Sequence, residues 1–427
     1  MAIFTTAQPG RLARRAAYLA AVAGLLGSAA ACSSSAPATQ TSAAAKQTII
    51  FATDGLGAEG AATTAAIKGF EAQYPNITVS VLNLDSSANN QYQQLTQRFQ
   101  AGTGLDVIDG DVTWAPAFAS AGWIQNLGSD GFDTSQYFPG QLASAQYNSS
   151  LYAVPWFVNA SGVYYRTDLV KTPPTTPAEL VSDAQAAVRA DPSLKEGFAW
   201  EGDKYEGSVC ALVDFLGGFG GKLSLSDLNT PANQAALQFM YATIHTDNIT
   251  PQAATGWQES NVQSAWESGQ TAFALNWPYE YASTEKLPAL KNDIGWIPFP
   301  STSGTPAAAL GGDNLMIAAK SAHTQADLEF VKYMTSPAVE ITRAESAGDP
   351  PANSTAYTAA LYTAAPYFKQ EQAVFADTVS RPSSPIYTNI SSVLQTMISS
   401  VLAGQSSPSA ALSSAQSQIT ALPGFTS

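Results

Sequence analysis

From residue 48 onward the chain alternates short apolar runs with helical stripes, and this alternation constrains the fold more than any other feature. Thr48-Ile49-Ile50-Phe51-Ala52-Thr53 reads as a buried strand, and Ile67, Phe70 and Tyr74 then recur at helical spacing until Pro75 closes the segment. Ile77-Thr78-Val79-Ser80-Val81-Leu82 alternates as a second strand. Tyr92, Leu95 and Phe99 mark a second helix, stopped at Gly102. Leu105-Asp106-Val107-Ile108 is a third strand, and Trp114, Phe118 and Ala121 share one face of the helix after it. Repeated βα units predict a mostly parallel sheet covered on both faces. Thr176-Pro177-Ala178-Glu179 is a capping box with proline at the first helical position. Ile390, Val393, Leu394, Met397, Ile398, Val401 and Leu402 form the apolar stripe of a C-terminal helix. About 380 residues follow position 46, more than one ordinary core holds, so two lobes are expected.

The segment before these units bears on location. Arg11, Arg14 and Arg15 precede an apolar run from Ala16 to Ala31 that closes on Ser28-Ala29-Ala30-Ala31, directly before Cys32. A charged region, an apolar region and small residues at a cleavage point make an export signal. The run falls short of the about 20 residues a membrane span needs. Residues 33–46 are a Ser/Ala/Thr/Pro/Gln stretch whose only charge is Lys46, the composition of a flexible linker. The whole order resembles a bacterial lipoprotein signal, with Ala29 where that pattern prefers Leu. The resemblance implies a signal peptide over 1–32, lipid on Cys32 and anchoring to the outer face of the cell membrane. Two or three acyl chains on one cysteine anchor stably.

Charge and composition exclude several functions. Residues 1–31 hold three arginines and no acid, so the remainder has 16 bases against 33 acids, a net charge of −17. That balance argues against nucleic acid or anionic lipid as a partner. Cys210 is the only thiol besides Cys32, which leaves core packing as its expected role. His245 and His323 stand far apart with no second ligand near either, so no metal and no cofactor is expected. Gly55-Leu56-Gly57-Ala58-Glu59-Gly60 matches a dinucleotide fingerprint in its strand-to-helix context. An exported protein rarely meets such a cofactor, and Asp85 comes late for the ribose acid. A tight turn facing a ligand cleft is the expected reading.

Five further stretches, in order, carry a resemblance to a family. They are Asp106 to Trp114 with Phe118 to Trp123; Leu151 to Trp156 with Gly162 to Leu169; Phe273-Ala274-Leu275-Asn276-Trp277-Pro278-Tyr279; Leu310 to Leu315 with Ala318 to Ser321; and Ala326 to Met334. Together they resemble the solute-binding proteins of sugar ABC importers across nearly the whole exported chain. Asn276-Trp277-Pro278 and Arg381-Pro382 with Pro385 and Tyr387 resemble trehalose/maltose-binding proteins and actinobacterial trehalose-recycling lipoproteins. The resemblance implies a two-lobed, type II periplasmic-binding-protein-like fold, each lobe a mostly parallel sheet flanked by helices, with hinge crossovers between lobes. It divides the chain into an N-lobe of 47–157 with 278–314 and a C-lobe of 158–277 with 315–427.

The same resemblance implies a site. Trp277 would stack on a sugar ring, with Tyr279 beside it. Asp111 and Glu259 would accept from hydroxyls on the two sides, and Asn159, where some relatives carry Asp, would donate as well as accept. Gly312 would let backbone N–H groups approach, Arg381 would close over the ligand, and Glu59 would reach in from the glycine turn. Asp313 departs from the small or apolar residue expected there. These types suit a pyranose, whose C–H faces meet aromatic rings and whose hydroxyls pair with carboxylates, amides and guanidinium. Each has an alternative: Asp111 as a helix cap, Asn159 bonded to hinge backbone, Glu259 solvated, Trp277 in a core, Arg381 paired with a surface acid. The expected function is capture of a disaccharide, trehalose or maltose, for an ABC permease, by a monomer that does no chemistry itself. A glycosidase using Asp111 and Glu259 is the rival enzyme, with carboxyls about 5–5.5 or 6.5–9.5 Å apart. A polyamine site would require more acids around the aromatic residues.

Overall fold

The computed structural model describes residues 45–54, 57–305 and 308–426. The signal, Cys32 and most of the 33–46 linker lie outside the described residues, as do Gly55 and Leu56 of the glycine turn. Among the described residues eleven strands run in chain order: β1 (Gln47–Thr53), β2 (Ile77–Asn83), β3 (Val107–Asp111), β4 (Gln146–Tyr147), β5 (Ser150–Leu151), β6 (Val154–Ala160), β7 (Gly162–Arg166), β8 (Glu196–Ala199), β9 (Thr271–Asn276), β10 (Ile294–Ile297) and β11 (Leu310–Ile317). A five-stranded sheet in the order β2-β1-β3-β11-β6 builds one lobe, and a four-stranded sheet in the order β10-β7-β9-β8 builds the other.

The βα units form where the sequence places them, for a local reason. In β1 the residues Ile49, Phe51 and Ala52 are fully buried, as a central strand covered on both faces requires. β2 alternates, with Ile77 and Val79 buried and their neighbours exposed, because it is the sheet's edge. Helix Gly57–Gln73 turns Ala62, Ala66, Ile67 and Phe70 inward, and the Phe70 ring meets Tyr74 and Phe330 with centroids 4.7 and 5.1 Å away. Full burial of a side chain such as Phe70 stabilises the fold by about 1.5–3 kcal/mol. The Thr176 capping box is present with both of its reciprocal bonds.

Three expectations need correction. The sheets are mixed, not mostly parallel: β1 runs parallel to β2 and β3, but β11 is antiparallel to both β3 and β6, and β7 is antiparallel to β9 and β10. Of the strands at the crossings, β6 runs with β3 and β9 with β8, whereas β11 and β7 run against them. The third strand begins later than expected and extends to Asp111, so Asp109 and Asp111 are strand residues. The division of the lobes also differs after residue 278. β10 pairs with β7 in the C-lobe sheet, whereas Leu315, Met316, Ile317, Phe330, Val331 and Met334 pack into the N-lobe core with Phe51 and Phe70. Apolar residues in β11 and in helix Thr324–Met334 find their burial there, while Ile390, Leu394 and Val401 enter the C-lobe core.

Ser161 alone separates β6 from β7 and so marks the first crossing. Its Oγ donates to Asp214 Oδ1 at 2.7 Å, and the Ala309 N–H, just before β11, donates to the same oxygen at 2.7 Å. One buried carboxyl thus ties two inter-lobe crossings to the helix Glu206–Gly218 of the C-lobe.

Candidate ligand-binding cleft

The carboxyl ends of β1, β3 and β6 and the amino end of β11 open on a cleft of about 300 Å³ that the C-lobe closes from the other side. Ligands of open α/β sheets bind at such ends. Glu59, Asp111, Asn159, Glu259, Trp277, Tyr279, Gly312 and Arg381 all line it. The structure therefore brings the eight residues singled out in the sequence to one place, from both lobes.

Trp277 follows β9 and is half-buried. Its backbone N–H donates to Asn276 Oδ1 at 2.9 Å, and its carbonyl accepts from Tyr164 Oη at 2.9 Å. The Asn276 amide in turn donates to Glu280 Oε2 at 2.6 Å, so the turn is held from beneath. The indole lies against Gly311, where an added Cβ would come within 2.6 Å of Cζ3. Glycine at that position leaves room for the rim of the indole beside the backbone of β11, and Trp277 lines the cleft there. At Gly312, φ is +95° and a Cβ would collide with the Phe157 carbonyl, so only glycine fits beside the irregularity between β11 and β6.

The charged groups divide between the walls. Asp111 Oδ1 accepts from the Thr113 N–H at 2.8 Å, which closes the turn after β3 and does not cap the next helix, Ala115–Ser120, whose N-cap Trp114 makes no side-chain bond; Oδ2 accepts from Arg381 Nη2 at 2.8 Å. Arg381 Nη1 donates to Glu206 Oε1 at 2.6 Å. Arg381 is buried, and burial opposes its charge; Asp111 foremost, and then other groups including Glu206, more than offset this and raise its pKa. The guanidinium thus joins the N-lobe strand β3 to the C-lobe helix Glu206–Gly218, and the acids it pairs with lie on the cleft walls, not on the outer surface. Asn159 Oδ1 is buried and accepts no hydrogen bond from the protein.

Glu259 opens the helix Glu259–Glu267, and its N–H donates to the Tyr205 hydroxyl at 2.9 Å. Burial pushes its pKa up to about 7, against a hydrogen bond with Tyr279 that favours the charged form. Glu59, in the first turn of its helix, is raised well above the usual range by burial, then by the charges of Asp349 and Asp54. Carboxyls held at the edge of ionisation in a concave wall can accept from or donate to ligand hydroxyls.

Sequence reasoning missed Asp54, Tyr205, Glu206 and the placement of Asp313, all of which line the cleft. Trp200-Glu201-Gly202-Asp203-Lys204-Tyr205-Glu206, an acid-and-aromatic cluster after a strand, was the one local signal for the second and third. Cys210 is buried and unbridged, as its apolar neighbours predict, yet it also borders the cleft. Among the described residues no group of His, Cys, Asp and Glu is arranged to hold a metal ion.

Two mixed α/β lobes, joined by crossing strands, wall one cleft. The chain belongs to the bacterial extracellular solute-binding proteins, whose family profile matches residues 54–341. It is 29% identical to a probable ABC transporter-binding protein of Deinococcus radiodurans over 88% of this chain and 94% of that one. It is also 29% identical to the diacetylchitobiose-binding protein DasA of Streptomyces coelicolor, over 58% of this chain and 60% of that one. Maltose-bound MalE3 of T. maritima superposes with a TM-score of 0.82 at 30% identity, covering 87% of this chain and 98% of that one. The family and these relatives are solute-binding proteins rather than enzymes, and the family is extracellular, so the chain acts as an exported binder.

Proposed function

We propose that the protein captures a disaccharide of the trehalose or maltose type between its lobes and passes it to the permease of an ABC importer. In this reading it works as a monomer held to the outer membrane face by lipid on Cys32. The observation that carries the reading is Trp277, packed at Gly311, lining one cleft together with Asp111, Asn159, Glu259, Tyr279 and Arg381 from both lobes. One apolar platform with acceptors and donors around its edge matches a pyranose, and a cleft of about 300 Å³ falls at the small-ligand end of the range. Maltose in the MalE3 structure and diacetylchitobiose in the name of DasA support a two-ring saccharide. Trehalose stands ahead of maltose on the sequence resemblance around Asn276-Trp277-Pro278 and Arg381-Pro382 alone.

Calorimetry with trehalose, maltose, sucrose and glucose tests this. Tight binding of one glucosyl disaccharide is expected; tight binding of glucose with neither disaccharide rules out a two-ring site, and no binding removes the sugar reading. The anchor has its own check. Cys32→Ala should leave the protein folded and shift it out of the membrane fraction, and a processed mutant retained in membranes would show another anchor.

A further inference from the structure

Cys210 and Trp277 border both the cleft and a second, much smaller cavity, whose walls also include Ser161, Glu201, Asp214 and Asn276. Its volume is about 10 Å³, at the lower end of the about 10–15 Å³ that a single water requires. Trp277 packs beside it on a cluster of Cys210, Val213 and Ala309.

Two acids of this chamber each bring a buried oxygen that no protein group meets. Glu201, two residues past β8, is 5% exposed, and its Oε2 has no hydrogen-bond partner. Asp214 is 1% exposed; Ser161 Oγ and the Ala309 N–H both donate to its Oδ1, and its Oδ2 has no partner. An added Cβ at Gly207 would collide with Glu201 Oε2, so glycine there makes room for the carboxyl. Burial, then the charges of Glu259 and Asp214, raise the pKa of Glu201. The two carboxyls are thus near neighbours, yet no hydrogen bond joins these two oxygens.

A buried polar atom is normally hydrogen-bonded to protein or to ordered water. Here two such atoms belong to one polar chamber of about the size of a water, the setting in which internal water is retained, whereas apolar voids stay dry. A water can donate twice and accept twice, so it serves this pair whether its carboxyls are ionised or protonated. A cation serves only the ionised pair, and burial pushes both acids toward protonation, Asp214 to about 7.

We propose that one internal water occupies this chamber, bonded to Glu201 Oε2 and Asp214 Oδ2, and that Glu201 acts through it as a positioning residue for Trp277. The water would tie the Trp277 wall of the cleft to Asp214, the carboxyl on which two inter-lobe crossings converge. The site does not depend on which solute the cleft captures.

High-resolution crystal structures of the ligand-free protein, of Glu201→Met and of Glu201→Gln test this, together with water-deuteron relaxation dispersion, which counts long-lived internal waters. The unmodified protein should show a single water within hydrogen-bond reach of both oxygens. Glu201→Met keeps the length of the side chain but removes the acceptor. It should lose that water from the structure and from the count, and leave Trp277 in more than one rotamer. Glu201→Gln, which retains an acceptor, should keep both the water and the single rotamer. A dry chamber in the unmodified protein, a cation in it, or a direct bond between the two carboxyls overturns the proposal. So does a Trp277 that stays fixed once the water is lost. Should Glu201→Met fail to fold, the unmodified structure decides: a water bonded to both oxygens upholds the site, and its absence overturns it.

Discussion

Arg343 and Arg381 are both nearly fully buried and both paired with carboxylates, yet one serves a single lobe and the other joins two. Arg343, on helix Pro337–Ala347, donates to Asp349 Oδ2 at 2.5 Å and to Thr63 Oγ1 at 2.5 Å, and its guanidinium lies 4.0 Å from the Trp156 ring centroid. All of these partners belong to the N-lobe, and Asp349 is 2% exposed. The partners of Arg381 sit on opposite walls of the cleft. Each keeps other donors: Thr113 for Asp111, and Tyr387 and Ser391 for Glu206. A buried ion pair therefore acts on folding where both partners belong to one lobe core. It acts on lobe closure where they can part and stay hydrogen-bonded.

The largest expected effect follows from the intra-lobe pair. Arg343→Ala strands the Asp349 carboxylate in the core and should destabilise the protein by about 3–5 kcal/mol in urea titration. A loss below about 1 kcal/mol would dissolve the contrast between the two arginines. Trp277→Ala comes next. It removes a stacking face worth about 1–3 kcal/mol by analogy with base–aromatic stacking, so affinity should fall tenfold or more while the empty protein's melting temperature changes little. Unfolding, with unchanged affinity per folded molecule, would make Trp277 a core residue.

Arg381→Ala sharpens the comparison from the other side. It should weaken ligand binding and enlarge the radius of gyration of the ligand-free protein in solution scattering, with a smaller loss of folding stability than Arg343→Ala. Equal losses of folding stability in the two variants would refute a closure role.

The hinge supplies the mildest test. Burial raises Asp214 to about 7, partly offset by bonds from Ser161 and Ala309, against about 3.9 for a free Asp. The folded state then holds a proton that the unfolded state has lost. Stability from this group is complete below pH 4 and disappears as pH rises through about 7. Glu259 and Asp109, also at about 7, add to the same slope. Melting temperature should thus be higher at pH 5.5 than at pH 8. Asp214→Asn, which keeps the acceptor for Ser161 and Ala309, should flatten part of that dependence. A melting temperature that rises over this interval would contradict the sign.

What the sequence made legible follows from range. β1, β2, the Thr176 capping box and the stripe from Ile390 to Leu402 depend on neighbours within a turn or two, and local spacing carries that information. Trp277 and its companions were legible through motif, and they gather at the cleft because the strand ends that bear them face it. The antiparallel course of β11 was not legible, since its pairing with β3 and β6 depends on residues far away in sequence, such as Leu310 with Ala160 and Asp313 with Asp111. Glu206 was missed for the same reason, because its partners Arg381, Tyr387 and Ser391 lie on the far side of the chain. Asp313 was visible as an oddity, but only its register opposite Asp111 gives it a meaning.

Capture between the lobes is most directly tested by hydrogen exchange with and without the tightest-binding saccharide. Protection should rise together around Asp111, Asn159 and Gly312 on one wall and around Glu206, Glu259 and Trp277 on the other. Protection confined to one lobe, or spread over surfaces away from the cleft, would contradict it.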